Sequence, residues 1–218
     1  MNHIEPHILL VFATVIFASA VFLHLTKKNS SVVLLYMTQS ATIAILLILS
    51  SFDKLSILLI LAIISTITVK ILIAPYFFFG LIKRHKLTFS VSTYLNMPLT
   101  LAVIAALVTL TQANFIKPLV FLAPAGRNLL VISVATILIS LFLSINRKGA
   151  LSQMLGILSL ENGIVSFALF AGLEQNPGLQ LGITFNILLW IIIATVFVSM
   201  IFRKFGSLDV TTMKDLTE

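Results

Sequence analysis

The sequence predicts an all-α protein, a polytopic transmembrane helical bundle of about seven spans. Its residues are 59% hydrophobic and only 10% charged, with a mean hydropathy of +1.14, whereas soluble domains carry roughly a quarter charged residues. The apolar residues fall in continuous runs of about twenty, the length a helix needs to cross the hydrocarbon core of a bilayer. A transmembrane β-barrel would show short alternating segments instead.

The predicted spans follow one another with short polar connections. They are Ile8–Thr26, Ser31–Ser51, Leu55–Gly80, Met97–Thr111, Asn128–Ile145, Leu151–Leu173 and Gly178–Phe202. The opening MNHIEPH lacks the basic flank and cleavage site of a secretory signal, so we expect the first run to be a retained helix. Residues 112–126 are apolar but contain Pro118 and Pro124, which favours either an interfacial or re-entrant segment or a plain buried loop.

Two membrane regions follow from this division. Residues 1–126 form an N-terminal four-span region, and residues 127–218 form a C-terminal three-span region with a cytoplasmic tail. The basic residues predict the orientation, because cytoplasmic loops gather Lys and Arg. Alternate connections and the tail carry ten of them, and the opposite connections carry three: Lys27, Lys28, Lys83, Arg84, Lys86, Arg147, Lys148, Arg203, Lys204 and Lys214 against Lys54, Lys117 and Arg127. We therefore expect the N-terminus outside and the C-terminus in the cytoplasm.

The net charge of +7 thus indicates membrane topology, and no nucleic-acid partner is expected. The sequence has no cysteine, which excludes disulfides, thiolate-bound iron–sulfur clusters and cysteine zinc sites on this chain. It also has no Gly-rich phosphate loop, nucleophile elbow or HExxH motif. We expect the chain to be non-catalytic by itself and to bind no cofactor or metal.

Glu161 lies near the middle of the sixth span, where an ionisable side chain usually faces a bundle interior, a partner or water. Small residues recur on one face of the same helix at spacings of four and three and predict a packing seam. They are Ser152, Gly156, Ser159, Gly163 and Ser166. Glu161 projects from nearly the opposite face. It is a candidate for proton relay or charge coupling, and the alternative is a protonated carboxyl that only joins helices by hydrogen bonds.

Lys70 is the second ionisable residue inside a span. Pro75 follows one turn later and has no N–H to donate to the Ile71 carbonyl, so we expect a helix kink beside the lysine. We interpret Lys70 as functional or partner-facing; the alternative is a long side chain that reaches the headgroups. Asn186 is the chief polar residue of the seventh span and joins the charge-coupling candidates, with an interhelical hydrogen bond as its default role.

Four motifs stand out along the chain: VKILIAPYF at 69–77, LENG at 160–163, LGIT at 181–184 and FGSLDV at 205–210. In these motifs the sequence resembles component E of hydrogenase-4, the membrane subunit of formate-hydrogenlyase-like complexes. The resemblance runs along the chain and is most specific from about residue 150 onward. The last three spans also resemble the K-type small membrane subunit of complex I and the C subunit of Mrp antiporters.

K-type subunits have three helices, an outside N-terminus, a cytoplasmic tail and a midmembrane Glu in the second helix, where Glu161 stands here. Their third helix carries a second acid, but this sequence has Asn186, which cannot ionise. The resemblance therefore implies either that Glu161 couples to charges on a neighbouring subunit or that the pathway is weakened. Lys70 falls in the matching third-span motif and could be a charge partner.

The resemblance implies a membrane-arm subunit of a complex-I-like oxidoreductase in a bacterial or archaeal cytoplasmic membrane. Such a subunit would anchor the arm and contribute Glu161 to proton translocation or charge coupling. Its expected partners are antiporter-like and other membrane-arm subunits, the lipid bilayer and a soluble redox arm that holds any iron–sulfur and nickel–iron centres. The alternatives are a cation/proton antiporter-type or ion-coupled uptake assembly without redox chemistry, and a purely structural scaffold.

Overall fold

The fold is known from a computed structural model, which describes residues 5–50, 57–89, 92–113, 126–172, 182, 185, 188, 192, 195–204 and 206. The regular elements of these ranges are all helical. They are α1 (Pro6–Leu25), α2 (Asn29–Ser50), α3 (Ile57–Thr66), a π-helix (Ile67–Ile73), α4 (Ala74–Arg84), α5 (Met97–Leu110), α6 (Arg127–Asn146) and α7 (Ala150–Phe170). Residues 195–204 are also helical.

Five helical stretches are long and apolar enough to cross a membrane: Pro6–Leu25, Asn29–Ser50, Ile63–Arg84, Arg127–Asn146 and Ala150–Phe170. They overlap the first, second, third, fifth and sixth predicted spans, which confirms the all-helical, multi-span architecture. The fourth predicted span corresponds to α5, which has only 14 residues. Most of the seventh lies outside the described residues, so the count of seven stays a prediction, as does the orientation.

The centre of the bundle is α7, which packs along α6 and also contacts α2 and α1. Its seam with α6 is built by hydroxyl pairs: the Oγ atoms of Ser140 and Ser159 are 2.8 Å apart, and those of Ser133 and Ser166 are 3.2 Å apart. All four serines are buried. In a water-free environment a hydroxyl needs a partner inside the protein, so these pairs fix the register of the two helices.

Two glycines allow the backbones of α6 and α7 to approach closely. A Cβ atom on Gly156 would lie 2.8 Å from the backbone nitrogen of Ser144, and one on Gly163 would lie 3.0 Å from the side chain of Ile137. Small residues are enriched at such membrane interfaces because they permit this approach. The predicted seam residues Ser152, Gly156, Ser159, Gly163 and Ser166 are all buried, and this face of α7 meets α6.

The third span changes its winding at Lys70. The π-helix Ile67–Ile73 separates α3 from α4, and the Ala74 N–H donates to the carbonyl of Val69, five residues earlier. Pro75 follows at the start of α4 and has no N–H to donate. The widened turn therefore lies immediately before the proline, where the sequence predicted a kink, and Lys70 is at its middle.

Three connections meet at one end of the bundle, which we call the basic end. Its cations are Lys27, Lys28, Lys83, Arg84, Lys86, Arg147, Lys148, Arg203 and Lys204. Asn29 joins two of the connections, donating from its backbone to Thr88 O (3.1 Å) and from its side chain to Leu87 O (2.9 Å). Asn146 joins another pair, since its side-chain oxygen accepts from the Leu95 N–H at 2.9 Å. These contacts place basic connections from different parts of the sequence side by side.

Arg147 closes the end of α1. Its Nη2 atom donates to the carbonyls of Leu23 (2.7 Å), His24 (3.0 Å) and Thr26 (2.8 Å). The last carbonyls of a helix have no partner within the helix, and a cation stabilises that negative end of the helix dipole. Arg147 is only 3% exposed. Its place beside a span predicts a topology-setting loop charge, but Arg147 also holds a buried structural position.

Candidate functional site

A buried ammonium group marks the candidate site. The side chain of Lys70 is 2% exposed, although it belongs to a helix long and apolar enough to span a membrane. Its Nζ donates to the Oδ1 of Asn162 at 2.9 Å, and Asn162 is completely buried on α7. A cation at membrane depth costs several kcal/mol unless it is paired or solvated. Lys70 is thus held by an amide, which supplies a dipole and no countercharge.

The hydrogen bonds continue from Asn162 to α2. The Nδ2 of Asn162 donates to the Oγ of Ser40 at 3.1 Å. Tyr36 lies one turn before Ser40 on the same helix, and its buried hydroxyl interacts with the Ser40 side chain. The third span, α7 and α2 are therefore joined by one polar cluster in an otherwise apolar part of the bundle. We call Tyr36, Ser40, Lys70 and Asn162 the lysine–amide cluster.

Glu161 is next to this cluster. It precedes Asn162 on α7 and is half-buried. Its carboxyl is close enough to Lys70 for the two charges to interact through space, while the hydrogen bond of Lys70 goes to Asn162. Ile164, one turn further on, is 46% exposed. Glu161 therefore lies at the border between the lysine–amide cluster and the outer surface of the described helices.

This arrangement suits electrostatic coupling better than direct proton hopping along the cluster. The Lys70 amine and the Glu161 carboxyl can each gain or lose a proton, but the Asn162 amide cannot. A change of charge at Glu161 would be felt at Lys70, since charges interact strongly where water is excluded. Asn162 keeps the ammonium in place during such a change. The energy of the Lys70 ammonium group therefore depends on whether Glu161 is ionised.

The structure brings together two of the residues that the sequence singled out, Glu161 and Lys70. Asn186 lies outside the described residues. The small-residue face of α7 is turned to α6 and contributes no side chain to the cluster. Pro75 stands one turn beyond Lys70 and follows the π-helix that carries it.

Three members of the cluster were missed. Asn162 belongs to the LENG motif, but only its neighbour Glu161 was predicted as a site residue, because the amide of Asn162 cannot ionise. Ser40 and Tyr36 are four residues apart, a spacing that places them on one face of α2. This polar pair in an apolar span was the available signal. Its connection to Lys70 depends on helix packing, which periodicity does not reveal.

Five apolar helices of spanning length, with polar side chains paired in the interior, define the chain as a multi-pass helical membrane protein. Comparison with known proteins adds one relative. Over 118 residues the chain is 33% identical to an uncharacterized protein of Mycobacterium tuberculosis, an alignment that covers 53% of this chain and 53% of that protein. The chain thus matches about half the length of this relative. No family model matches, and no solved structure matches.

Proposed function

We propose that the protein is a membrane-arm subunit of a complex-I-like oxidoreductase of the hydrogenase-4 or formate-hydrogenlyase-like type. It anchors the arm in a bacterial or archaeal cytoplasmic membrane and couples charge through Glu161 and Lys70. The observation that carries the proposal is the 2.9 Å hydrogen bond from the buried Lys70 Nζ to Asn162, directly beside Glu161. The resemblance of the LENG and VKILIAPYF motifs to hydrogenase-4 component E supports this class of complex, since LENG contains Glu161 and Asn162 and VKILIAPYF contains Lys70.

The energetic argument starts from the environment of Lys70. A lysine whose only task is to fill space would be replaced by an apolar residue at lower energy, because a buried ion loses its hydration. Intramembrane ionisable residues therefore mark ion or proton pathways by default. Here the cation is held by a neutral amide, so its energy depends strongly on the protonation state of Glu161. That dependence is the physical basis of charge coupling.

The exposed side of Glu161 supports a role within a larger assembly. The carboxyl is half-buried, and the neighbouring Ile164 is 46% exposed, so a second membrane subunit could cover both. In the proposed complex that neighbour is antiporter-like and carries its own line of charges. The nickel–iron and iron–sulfur centres belong to a soluble redox arm, and this chain supplies no cofactor ligand.

The first test is isolation of the tagged protein in a mild detergent, with mass spectrometry of the co-purifying subunits. Antiporter-like subunits together with an iron–sulfur or nickel–iron arm are the expected result. Antiporter-like partners without any redox subunit would instead favour a cation/proton antiporter-type assembly. Recovery of the chain alone, in a detergent that keeps other complexes intact, would contradict both functions.

The second test is Glu161→Gln in the isolated complex, reconstituted in vesicles that contain a pH-sensitive dye. We expect normal assembly and loss of coupling between turnover and proton movement, because Gln keeps the shape but cannot ionise. Glu5→Gln is the matched control, since Glu5 lies outside the spans and is exposed. If Glu161→Gln leaves turnover and proton movement intact, Glu161 has only a structural role.

A further inference from the structure

A groove at the basic end combines cations with an apolar wall. It lies between the end of α4 and the helical residues 195–204 and has a volume of about 1300 Å³. Arg84 and His85 line it from one side, and Arg203 and Lys204 line it from the other. The described residues around it include no Asp or Glu. The groove therefore has a positive mouth that favours an anionic ligand.

The apolar wall follows from the helical spacing. Val196, Phe197 and Met200 line the groove and are 52%, 58% and 62% exposed. Residues 196, 197, 200, 203 and 204 share one face of a helix, so this face is apolar over about one turn and basic over the next. Such an order places exposed apolar side chains at the depth of acyl chains and the cations at the headgroups.

His85 forms part of the groove wall together with Phe202. Its ring lies 4.2 Å from the ring of Phe202, centroid to centroid. Its Nε2 atom is buried and has no hydrogen-bond partner among the described residues. Buried polar atoms of this kind are normally satisfied. Because this atom is buried, the His85 ring contributes to the groove as part of its wall.

We propose that this groove binds one anionic phospholipid, with its phosphate between Arg84 and Arg203 and an acyl chain along Val196, Phe197 and Met200. A phospholipid carries a phosphate next to a long apolar chain, which matches the order of cations and apolar side chains in the groove. Basic pockets between transmembrane helices recognise such headgroups. The proposal depends on the multi-pass membrane architecture and not on the proposed redox complex. It therefore stands or falls independently of Glu161 and Lys70.

The test uses the full-length protein, stripped of lipid in detergent and then titrated with defined lipids while native mass spectrometry counts the bound molecules. The probes are dioleoyl phosphatidylglycerol, which is anionic, dioleoyl phosphatidylcholine, which is zwitterionic, and inorganic phosphate. We expect one phosphatidylglycerol to bind in clear preference to phosphatidylcholine. Binding of phosphate with the same affinity as the lipid would show an anion site without an acyl contact, and equal binding of the two lipids would show no charge recognition. Either result overturns the proposal.

Two double variants locate the site. The double variant Arg84→Gln/Arg203→Gln should weaken phosphatidylglycerol binding about 30-fold, since each cation near an anionic lipid contributes about 1 kcal/mol. The control Lys27→Gln/Lys28→Gln removes the same charge from exposed positions at the same end, away from the groove, and should leave binding unchanged. An equal loss in both double variants would mean general surface attraction and would refute the site.

A third variant separates loss of binding from loss of folding. Arg84→Lys/Arg203→Lys keeps both charges and should retain binding within a few-fold, whereas Arg84→Gln/Arg203→Gln does not. All variants are compared by size-exclusion profile and thermal unfolding before titration. If the lysine variant folds normally but loses the lipid preference to the same extent as the glutamine variant, charge does not hold the headgroup and the proposal is wrong.

Discussion

The hydrogen bond between Lys70 and Asn162 makes the sharpest energetic prediction, and a double-mutant cycle measures it. Asn162→Ala removes the acceptor from a lysine that is 2% exposed, and it also removes the donor to Ser40. A hydrogen bond to a charged group contributes about 1.5–3 kcal/mol, and a neutral bond between membrane helices contributes about 0.6 kcal/mol on average. We therefore expect Asn162→Ala to lower the free energy of unfolding by roughly 2–3.5 kcal/mol.

The cycle is completed by Lys70→Met, which keeps an unbranched side chain and removes the charge. In the double variant Lys70→Met/Asn162→Ala no buried ammonium is left without an acceptor, so the double variant should be more stable than the sum of the single changes predicts. We expect a coupling energy of about 1.5–3 kcal/mol, measured by reversible unfolding in mixed micelles. A second cycle between Asn162 and Ser40 should give only about 0.6 kcal/mol.

Comparison of these two coupling energies decides whether Lys70 is a buried cation held by Asn162. A coupling between Lys70 and Asn162 no larger than about 0.6 kcal/mol would mean that the bond is no stronger than a neutral one. In that case Lys70 would be neutral or solvated in the folded protein. The account of a cation held by an amide beside Glu161 would then be refuted, whatever the effect of the single substitutions.

Three further predictions concern packing, helix capping and the groove. Gly156→Ala should destabilise the bundle by about 1–3 kcal/mol in an unfolding assay, because its Cβ would lie 2.8 Å from the backbone nitrogen of Ser144. The control is Gly80→Ala, whose Cβ would have no atom within 4 Å and which should be neutral or stabilising in the same assay. Equal effects would disprove close helix approach as the cause. Arg147→Gln should lower the free energy of unfolding by about 2 kcal/mol, since charge-assisted bonds to three carbonyls of α1 are lost; an unchanged stability would show that water replaces them. Burial, and then the charge of the preceding arginine, lower the pKa of His85, so its share of the stability is present above the ordinary histidine pKa and lost as the pH falls below it. His85→Gln should remove this dependence in lipid-free protein, and NMR titration should show the His85 pKa rise when phosphatidylglycerol binds.

The spans could be predicted from the sequence because the bilayer imposes a simple rule. A backbone in hydrocarbon must satisfy its own polar groups, so apolar runs of sufficient length become helices. This rule is independent of which helix packs against which, and it accounts for α1, α2, α6 and α7. It does not decide whether α5 crosses the membrane, because its 14 residues are below the length that the rule requires.

The candidate site was only partly predictable for a related reason. Ionisable residues inside spans are conspicuous in any sequence, so Glu161 and Lys70 were found. Neutral polar residues such as Asn162 and Ser40 become significant only through contacts that join residues 92 and 122 positions apart. Arg147 illustrates the same point in reverse, since its position next to a span indicated topology and gave no sign of burial.

The contact between Arg147 and the end of α1 also has a consequence for synthesis of the protein in the cell. Arg147 and Thr26 are 121 residues apart, so at about 5–20 residues per second the ribosome needs roughly 6–24 s to produce one after the other. During that interval the last carbonyls of α1 must be satisfied by water or by headgroups. The capping contacts of α1 can therefore form only after α6 and Arg147 have been made, so the end of the first helix is completed long after that helix itself has been synthesised.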